Sequence, residues 1–202
     1  MQPFTTVTGP AAALPAANID TDVIIPKQFL KGIDRSGLAD ATFHDLRFSA
    51  PGELRRDFVL NRPDWADARF LVVGPNFGCG SSREHAVWGL LQLGIRAIFG
   101  TSFAGIFADN AANNGLLLID LPAETVAILA GRAADPARNR LTVDLPAETV
   151  TAADGTVFPF TIPALRKDAL VRGRDAIGAT LDHAAEIRAF EARHLAANPW
   201  LA

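Results

Sequence analysis

Apolar residues in this chain fall into short blocks separated by Gly, Pro, Asn and Asp. Three of them, Arg69-Phe70-Leu71-Val72-Val73, Ile95-Arg96-Ala97-Ile98-Phe99 and residues 115–119, are apolar runs of strand length, as expected of strands buried on both faces. Residues 82–93 and 102–112 between them have the length and composition of packed helices. Strand, helix, strand, helix, strand implies right-handed crossovers and a parallel sheet. Pro122 starts a further short helix, to Gly131. Beyond it the pattern changes period. Leu141-Thr142-Val143 and Thr149-Val150-Thr151 alternate, and Asp154-Gly155 signals a hairpin before Thr156-Val157-Phe158. Residues 163–195 read as helical, broken at Gly173 and Gly178, with Ile187, Phe190 and Leu195 as an apolar stripe. The N-terminal third is less regular. Residues 4–8 and Val23-Ile24-Ile25 read as strands, 26–36 as a mobile loop, and 38–48 as weakly helical. His44 reads as a surface or packing histidine, and Asn110, Asn113 and Asn114 as C-capping residues with Gly115. The hexapeptide Leu-Pro-Ala-Glu-Thr-Val occurs at 121–126 and again at 145–150, too short an echo for a repeat architecture.

Composition narrows the class. With 202 residues, 49% of them hydrophobic, the chain can bury a sizeable core as one large domain, with or without a terminal extension. A net charge of -3 without a basic run argues against nucleic acid as the main partner. No apolar run is long enough to span a bilayer. The N-terminus has no Lys or Arg before Lys27, so it lacks the charged region of a signal peptide. A soluble cytoplasmic protein is expected. The single cysteine, Cys79, can neither close an internal disulfide nor hold an iron–sulfur cluster by itself.

Candidate chemistry concentrates in Gly74-Pro75-Asn76-Phe77-Gly78-Cys79-Gly80-Ser81-Ser82-Arg83-Glu84-His85, a strand-to-helix turn. Its glycines permit a tight bend, and its serines fall where the helix should begin. Backbone N–H groups at a helix start favour an anion, and Arg83 adds a planar fork that matches a carboxylate or phosphate. A P-loop would need Lys before the Ser or Thr, and a dinucleotide fingerprint would need a third glycine where Arg83 stands. Both nucleotide readings fail. What remains is an anion site with two hydroxyls beside it, or a plain glycine-rich turn with a serine cap. Asp20 and Asp22 around Thr21 read as an Asx-type turn, since two carboxylates alone make a poor cation site.

The run from Asn76 to Ala86 resembles the signature of the small subunit of 3-isopropylmalate dehydratase, the detached swivelling domain of the aconitase superfamily. Asn18 through Leu30, Ser102 through Phe107, Asn110 through Leu117, and Asp175 through Leu181 with His183 resemble the family's other motifs, in order along nearly the whole chain. Arg174 departs from the aliphatic residue usual in relatives. The resemblance implies an α/β, three-layer β/β/α swivelling domain over 1–162, with a short parallel βαβαβ core and an antiparallel β layer, and a C-terminal helical extension at 163–202 packed on it. It implies a hydro-lyase that isomerises 2-isopropylmalate to 3-isopropylmalate in leucine biosynthesis. Ser81 is then the candidate base. Ser82 and Arg83 grip a substrate carboxylate, Asp20, Thr21 and Asp22 support them, and Phe29 and Leu30 meet the substrate's isopropyl group. No cofactor is expected on this chain; a [4Fe–4S] cluster is expected on a separate large subunit, the main partner. Two alternatives stay open: a sister hydro-lyase of homoaconitase or citraconate/methylmalate type, and a non-catalytic dicarboxylate-binding module.

A serine base carries an energetic requirement. Its pKa must fall by at least ~3 units, about 4 kcal/mol. A helix start supplies roughly 0.3–2 kcal/mol. Ser81 is therefore expected to be inert until a partner closes over it.

Overall fold

One strand, β1 (Thr6–Leu14), connects two kinds of pairing. The computed structural model describes residues 1–31 and 35–201. After β1 come two single helical turns, α1 (Thr21–Ile24) and α2 (His44–Arg47), and a small hairpin, β2 (Phe48–Ala50) and β3 (Glu53–Leu54). The central unit is β4 (Phe70–Val73), α3 (Glu84–Gln92), β5 (Ala97–Gly100), α4 (Gly105–Asn114), β6 (Leu117–Asp120) and α5 (Ala123–Ala133). Then follow β7 (Arg140–Asp144), β8 (Thr149–Ala152), β9 (Val157–Pro159), α6 (Ala164–Arg172), α7 (Ala176–Thr180) and α8 (Ala184–Ala197).

The main sheet has seven strands in the order β6-β5-β4-β1-β7-β8-β9. Residues 11–14 of β1 pair parallel with β4, and residues 6–10 pair antiparallel with β7. The expected parallel core and antiparallel layer are thus halves of one mixed sheet. The strand expected at 4–8 runs on to Leu14, through Gly9-Pro10 and three alanines. Pro10 is the last antiparallel pair before the first parallel one, so its missing N–H falls where the ladders change over.

Alternate residues of the central strands enter two cores. Leu71, Val73 and Ile98 join one cluster with Val87 and Leu90 of α3 and Phe107 of α4. Phe70, Val72, Phe99, Leu117 and Ile119 face the other, with Leu129 of α5 and Leu170 of α6. This two-sided burial explains why the runs were continuous rather than alternating.

Two expectations for the N-terminal third are corrected. Val23-Ile24-Ile25 is not a strand, because the Asp20 carboxylate accepts a 2.8 Å bond from the Val23 N–H and caps α1 instead. The region 38–48 is mostly turn, with only His44–Arg47 helical. The loop expected at 26–36 begins with a 3-10 turn at Lys27–Phe29, and residues 32–34 lie outside the described residues. At the other end, Leu170 of α6 is buried and its carbonyl accepts from the Phe4 N–H at 2.9 Å. No residue of α8 is buried; Ile187, Phe190 and Leu195 of the proposed stripe stay exposed.

Candidate active site

Loops leave the carboxyl ends of β1, β4 and β5 at one edge of the sheet, where open α/β sheets place ligands. Backbone bonds join them. Asn18 N–H donates to Pro75 O (2.9 Å), Gly78 N–H to Ile19 O (2.8 Å), Thr21 N–H to Cys79 O (2.8 Å) and Ala104 N–H to Phe77 O (3.0 Å). Parallel bridges Asp20 to Cys79 and Phe77 to Phe103 continue the strand order beyond the strands. The Asn76 N–H donates to the Ser102 hydroxyl at 2.9 Å, so the Gly100-Thr101-Ser102 turn lies at this edge as expected. Gly78 (φ 77°) and Gly80 (φ 91°) turn the chain through left-handed backbone.

The serines do not cap the helix. α3 begins at Glu84 with Arg83 in the cap position and no side-chain cap. The Thr21 hydroxyl explains this, because it donates to the Ser81 carbonyl at 2.9 Å and holds that residue towards α1. Ser81 and Ser82 are exposed, and their hydroxyls have no hydrogen-bond partner among the described residues. Arg83 Nη1 pairs with Asp22 at 2.5 Å and reaches Ile25 O at 3.5 Å. The hydrogen bond from Arg83 lowers the Asp22 pKa below its ordinary value, more than burial raises it. Because the folded value is the lower one, the pair contributes above the ordinary carboxylate pKa and is lost as pH falls through the lowered value.

The structure therefore brings Asp20, Thr21, Asp22, Ser81 and Arg83 into one bonded assembly, with Ser82 beside it. Phe29 and Leu30 stand apart, half-buried against the α3-side core. Phe29 packs on the His44 ring (centroids 4.8 Å), which also meets Phe48 at 5.1 Å. The cavity of about 430 Å³ lined by Phe29, Asp40, His44 and Phe48 includes none of Ser81, Ser82 or Arg83.

One polar chain was not anticipated. Gly115, at φ 85°, is the C-cap of α4, and the Asn114 amide donates to the Asn110 carbonyl of its last turn at 2.9 Å. Asn114 also donates to Glu84 Oε1 at 2.7 Å and accepts from the Trp88 indole N–H at 2.9 Å. Glu84, Trp88 and Gln92 recur every fourth residue, a spacing that places them on one helix face and could have flagged them. His85, in contact with Trp88 at 4.7 Å, buries its Nε2 with no hydrogen-bond partner among the described residues.

Thr21→Val, which keeps the shape and deletes the hydroxyl, is expected to lower stability by about 0.5–1.5 kcal/mol. Urea unfolding measures this, and an unchanged midpoint would show that the clamp holds nothing.

Residues 1–124 match the Aconitase C-terminal domain family, and 128–164 the LeuD_N family. Residues 177–202 match the family of the C-terminal domain of the 3-isopropylmalate dehydratase small subunit. The 3-isopropylmalate dehydratase small subunit 1 of Mannheimia succiniciproducens is 53% identical over 201 residues, 100% of this chain and 99% of the relative. The chain belongs to the 3-isopropylmalate dehydratase small-subunit family. As a member it is a subunit of a hydro-lyase. Another member, the 3-isopropylmalate dehydratase small subunit of Cereibacter sphaeroides, is 51% identical over 100% of both chains. The crystal structure of 3-isopropylmalate dehydratase from Methanocaldococcus jannaschii superposes with a TM-score of 0.65 at 24% identity, over 92% of this chain and 99% of that one. That likeness shows the fold: a mixed α/β sheet with a parallel core. No helix among the described residues is long and apolar enough to cross a membrane.

A four-iron cluster does not fit this family member's own residues. Such clusters take three or four thiolates, and Cys79 is the single cysteine. No three His, Cys, Asp or Glu side chains group as metal ligands among the described residues.

Proposed function

We propose that this chain supplies the proton-transfer and carboxylate-binding half of an enzyme that interconverts 2-isopropylmalate and 3-isopropylmalate, by dehydration and rehydration, in leucine biosynthesis. The observation that carries the reading is the exposed Ser81–Ser82 pair, held open to solvent by the Thr21 clamp beside Arg83. Ser81 takes the proton from the substrate carbon and returns it on rehydration. Ser82 and Arg83 hold a substrate carboxylate. Asp22 meets Arg83 at Nη1, and among the described residues Nε and Nη2 make no hydrogen bond. Asp20 and Thr21 support this arrangement, and Phe29 and Leu30 meet the isopropyl group. Departure of the hydroxyl calls for a Lewis acid, the chemistry of a [4Fe–4S] cluster, carried in this reading by a separate large subunit.

The exposure of Ser81 supports a two-chain site. Its helix starts three residues later than the serine, so the dipole contributes even less than a cap position would receive, and it falls off within a turn. The remainder of the roughly 4 kcal/mol must come from exclusion of water and from donors on the covering chain. Residues 163–202 are an extension of the swivelling domain in this reading.

The test is anaerobic mixing with a cluster-bearing large subunit. Isopropylmalate isomerisation is expected in the mixture and in neither chain alone. Turnover by this chain alone, or by the mixture only with a citraconate- or methylmalate-type acid, would overturn the proposal.

A further inference from the structure

The geometry points to Gln92 and Trp88 of α3 as positioning residues for the stretch from Arg35 to Leu38, which shares a cavity with Phe29, and so as determinants of which side group the enzyme accepts. The inference rests on the substrate reading of Phe29 and Leu30 proposed above.

Described residues before Phe29 and after Leu30 are tied to the element that carries the candidate site. On the near side, Arg83, the residue before α3, reaches the Ile25 carbonyl and pairs with Asp22. On the far side, Gln92 at the end of α3 accepts from the Leu38 N–H at 2.8 Å and donates to the Arg35 carbonyl. The Arg35 guanidinium lies over the Trp88 ring at 4.5 Å, a cation–π contact. Trp88 is itself oriented, since its N–H donates to Asn114, whose amide donates to Glu84 in the first turn of α3. Below these contacts the chain is packed without slack. Leu38 is buried, its carbonyl accepts from the Thr42 hydroxyl at 2.8 Å, and a Cβ at Gly89 would lie 2.3 Å from that hydroxyl oxygen. The polar face of α3 thus refers the far flank to the same helix whose cap position is Arg83.

The stretch from Arg35 to Leu38 in turn borders the apolar contact. Phe29 packs on His44, and Gly37, between Arg35 and Leu38, lines the same cavity as Phe29 and His44. Releasing Arg35 and Leu38 from α3 therefore changes one wall of that cavity, while the Thr21–Ser81 clamp on the other flank is untouched. A looser wall should weaken selection for a bulky side group more than it slows proton transfer.

Gln92 is exposed, so Gln92→Leu removes both hydrogen bonds without opening the core. Trp88→Phe is the second variant; it keeps a ring under Arg35 and deletes the N–H to Asn114. Each is assembled with the large subunit and assayed on 2-isopropylmalate and on 2-methylmalate, with amide exchange at Leu38 followed in parallel. For Gln92→Leu, KM for 2-isopropylmalate should rise about tenfold, with kcat and the KM for 2-methylmalate within about twofold, and Leu38 protection should fall. Trp88→Phe should shift the same KM in the same direction by a smaller factor. A proportional loss on both acids, or unchanged KM values despite lost Leu38 protection, overturns the inference and leaves the functional reading standing. A wild-type complex that turns over neither acid removes the functional reading, and this inference with it.

Discussion

Ser81→Ala is expected to lower kcat by about 10²–10⁴-fold in the assembled enzyme, the range for loss of a positioned general base. That corresponds to roughly 2.7–5.4 kcal/mol of transition-state stabilisation. A base acts only in the transition state, so kcat and kcat/KM should fall together, with KM nearly constant. Folding should be unaffected. Ser81 is exposed, its hydroxyl has no partner among the described residues, and the Thr21 clamp uses the backbone carbonyl, which alanine retains. Unfolding midpoint and assembly with the large subunit should therefore match the parent. The measurement is steady-state isopropylmalate turnover beside urea unfolding, and a variant retaining more than about a third of kcat would exclude Ser81 as the base.

Gly78→Ala should have the largest effect on stability. The residue has φ 77°, where a side chain costs about 1–2 kcal/mol. A Cβ there would lie 2.3 Å from Phe107 Cγ, and that ring cannot retreat, because it is 2% exposed and packs edge-on against Phe77 at 5.4 Å. Overpacking adds roughly 1–3 kcal/mol, for a total of about 2–5 kcal/mol. The two costs can be separated. Phe107→Ala in the Gly78→Ala background removes Cγ and Cδ1 and keeps only the Cβ contact, so it should relieve much of the steric part and leave the backbone part, giving a favourable coupling in a double-mutant cycle. Denaturant unfolding of the four proteins measures both. A single-variant loss below about 1 kcal/mol would mean that the turn is more pliable than its contacts indicate. The same substitution should impair catalysis, since the Gly78 N–H is bonded to Ile19 O in the ladder that carries Ser81.

The βαβαβ core was legible because strands buried on both faces leave uninterrupted apolar runs, and 70–73, 97–100 and 117–120 sit within a residue or two of the runs read from sequence. The candidate site turn was legible from its three glycines and the residues around them. Less visible was anything that depended on contacts between distant segments. Asp20 became a helix cap, Asp22 the counter-ion of Arg83, and Thr21 the clamp on Ser81 only because the β1 and β4 loops run side by side. The Asn114 bridge needed α3 and α4 to lie adjacent on one face of the sheet. Residues 9–14 were missed as strand for a related reason: Gly, Pro and Ala have low strand propensity, and burial between β4 and β7 overrides it.

The repeated hexapeptide marks the boundary between the two kinds of information. At 121–126, Leu-Pro-Ala-Glu-Thr-Val enters helix α5 at its third residue, with Pro122 in the cap position. At 145–150 the same six residues make a turn and enter strand β8, with Glu148 at φ 56°. Identical local preferences cannot choose between these outcomes. The choice comes from what lies alongside: Val126 closes the α5-side core, whereas Val150 pairs between Val143 and Phe158. Sequence by itself determined the family, the parallel core and the glycine-rich strand-to-helix turn, all carried by short contiguous patterns. Tertiary structure alone decided which side chain meets which around Ser81, because those energies arise between residues some sixty positions apart.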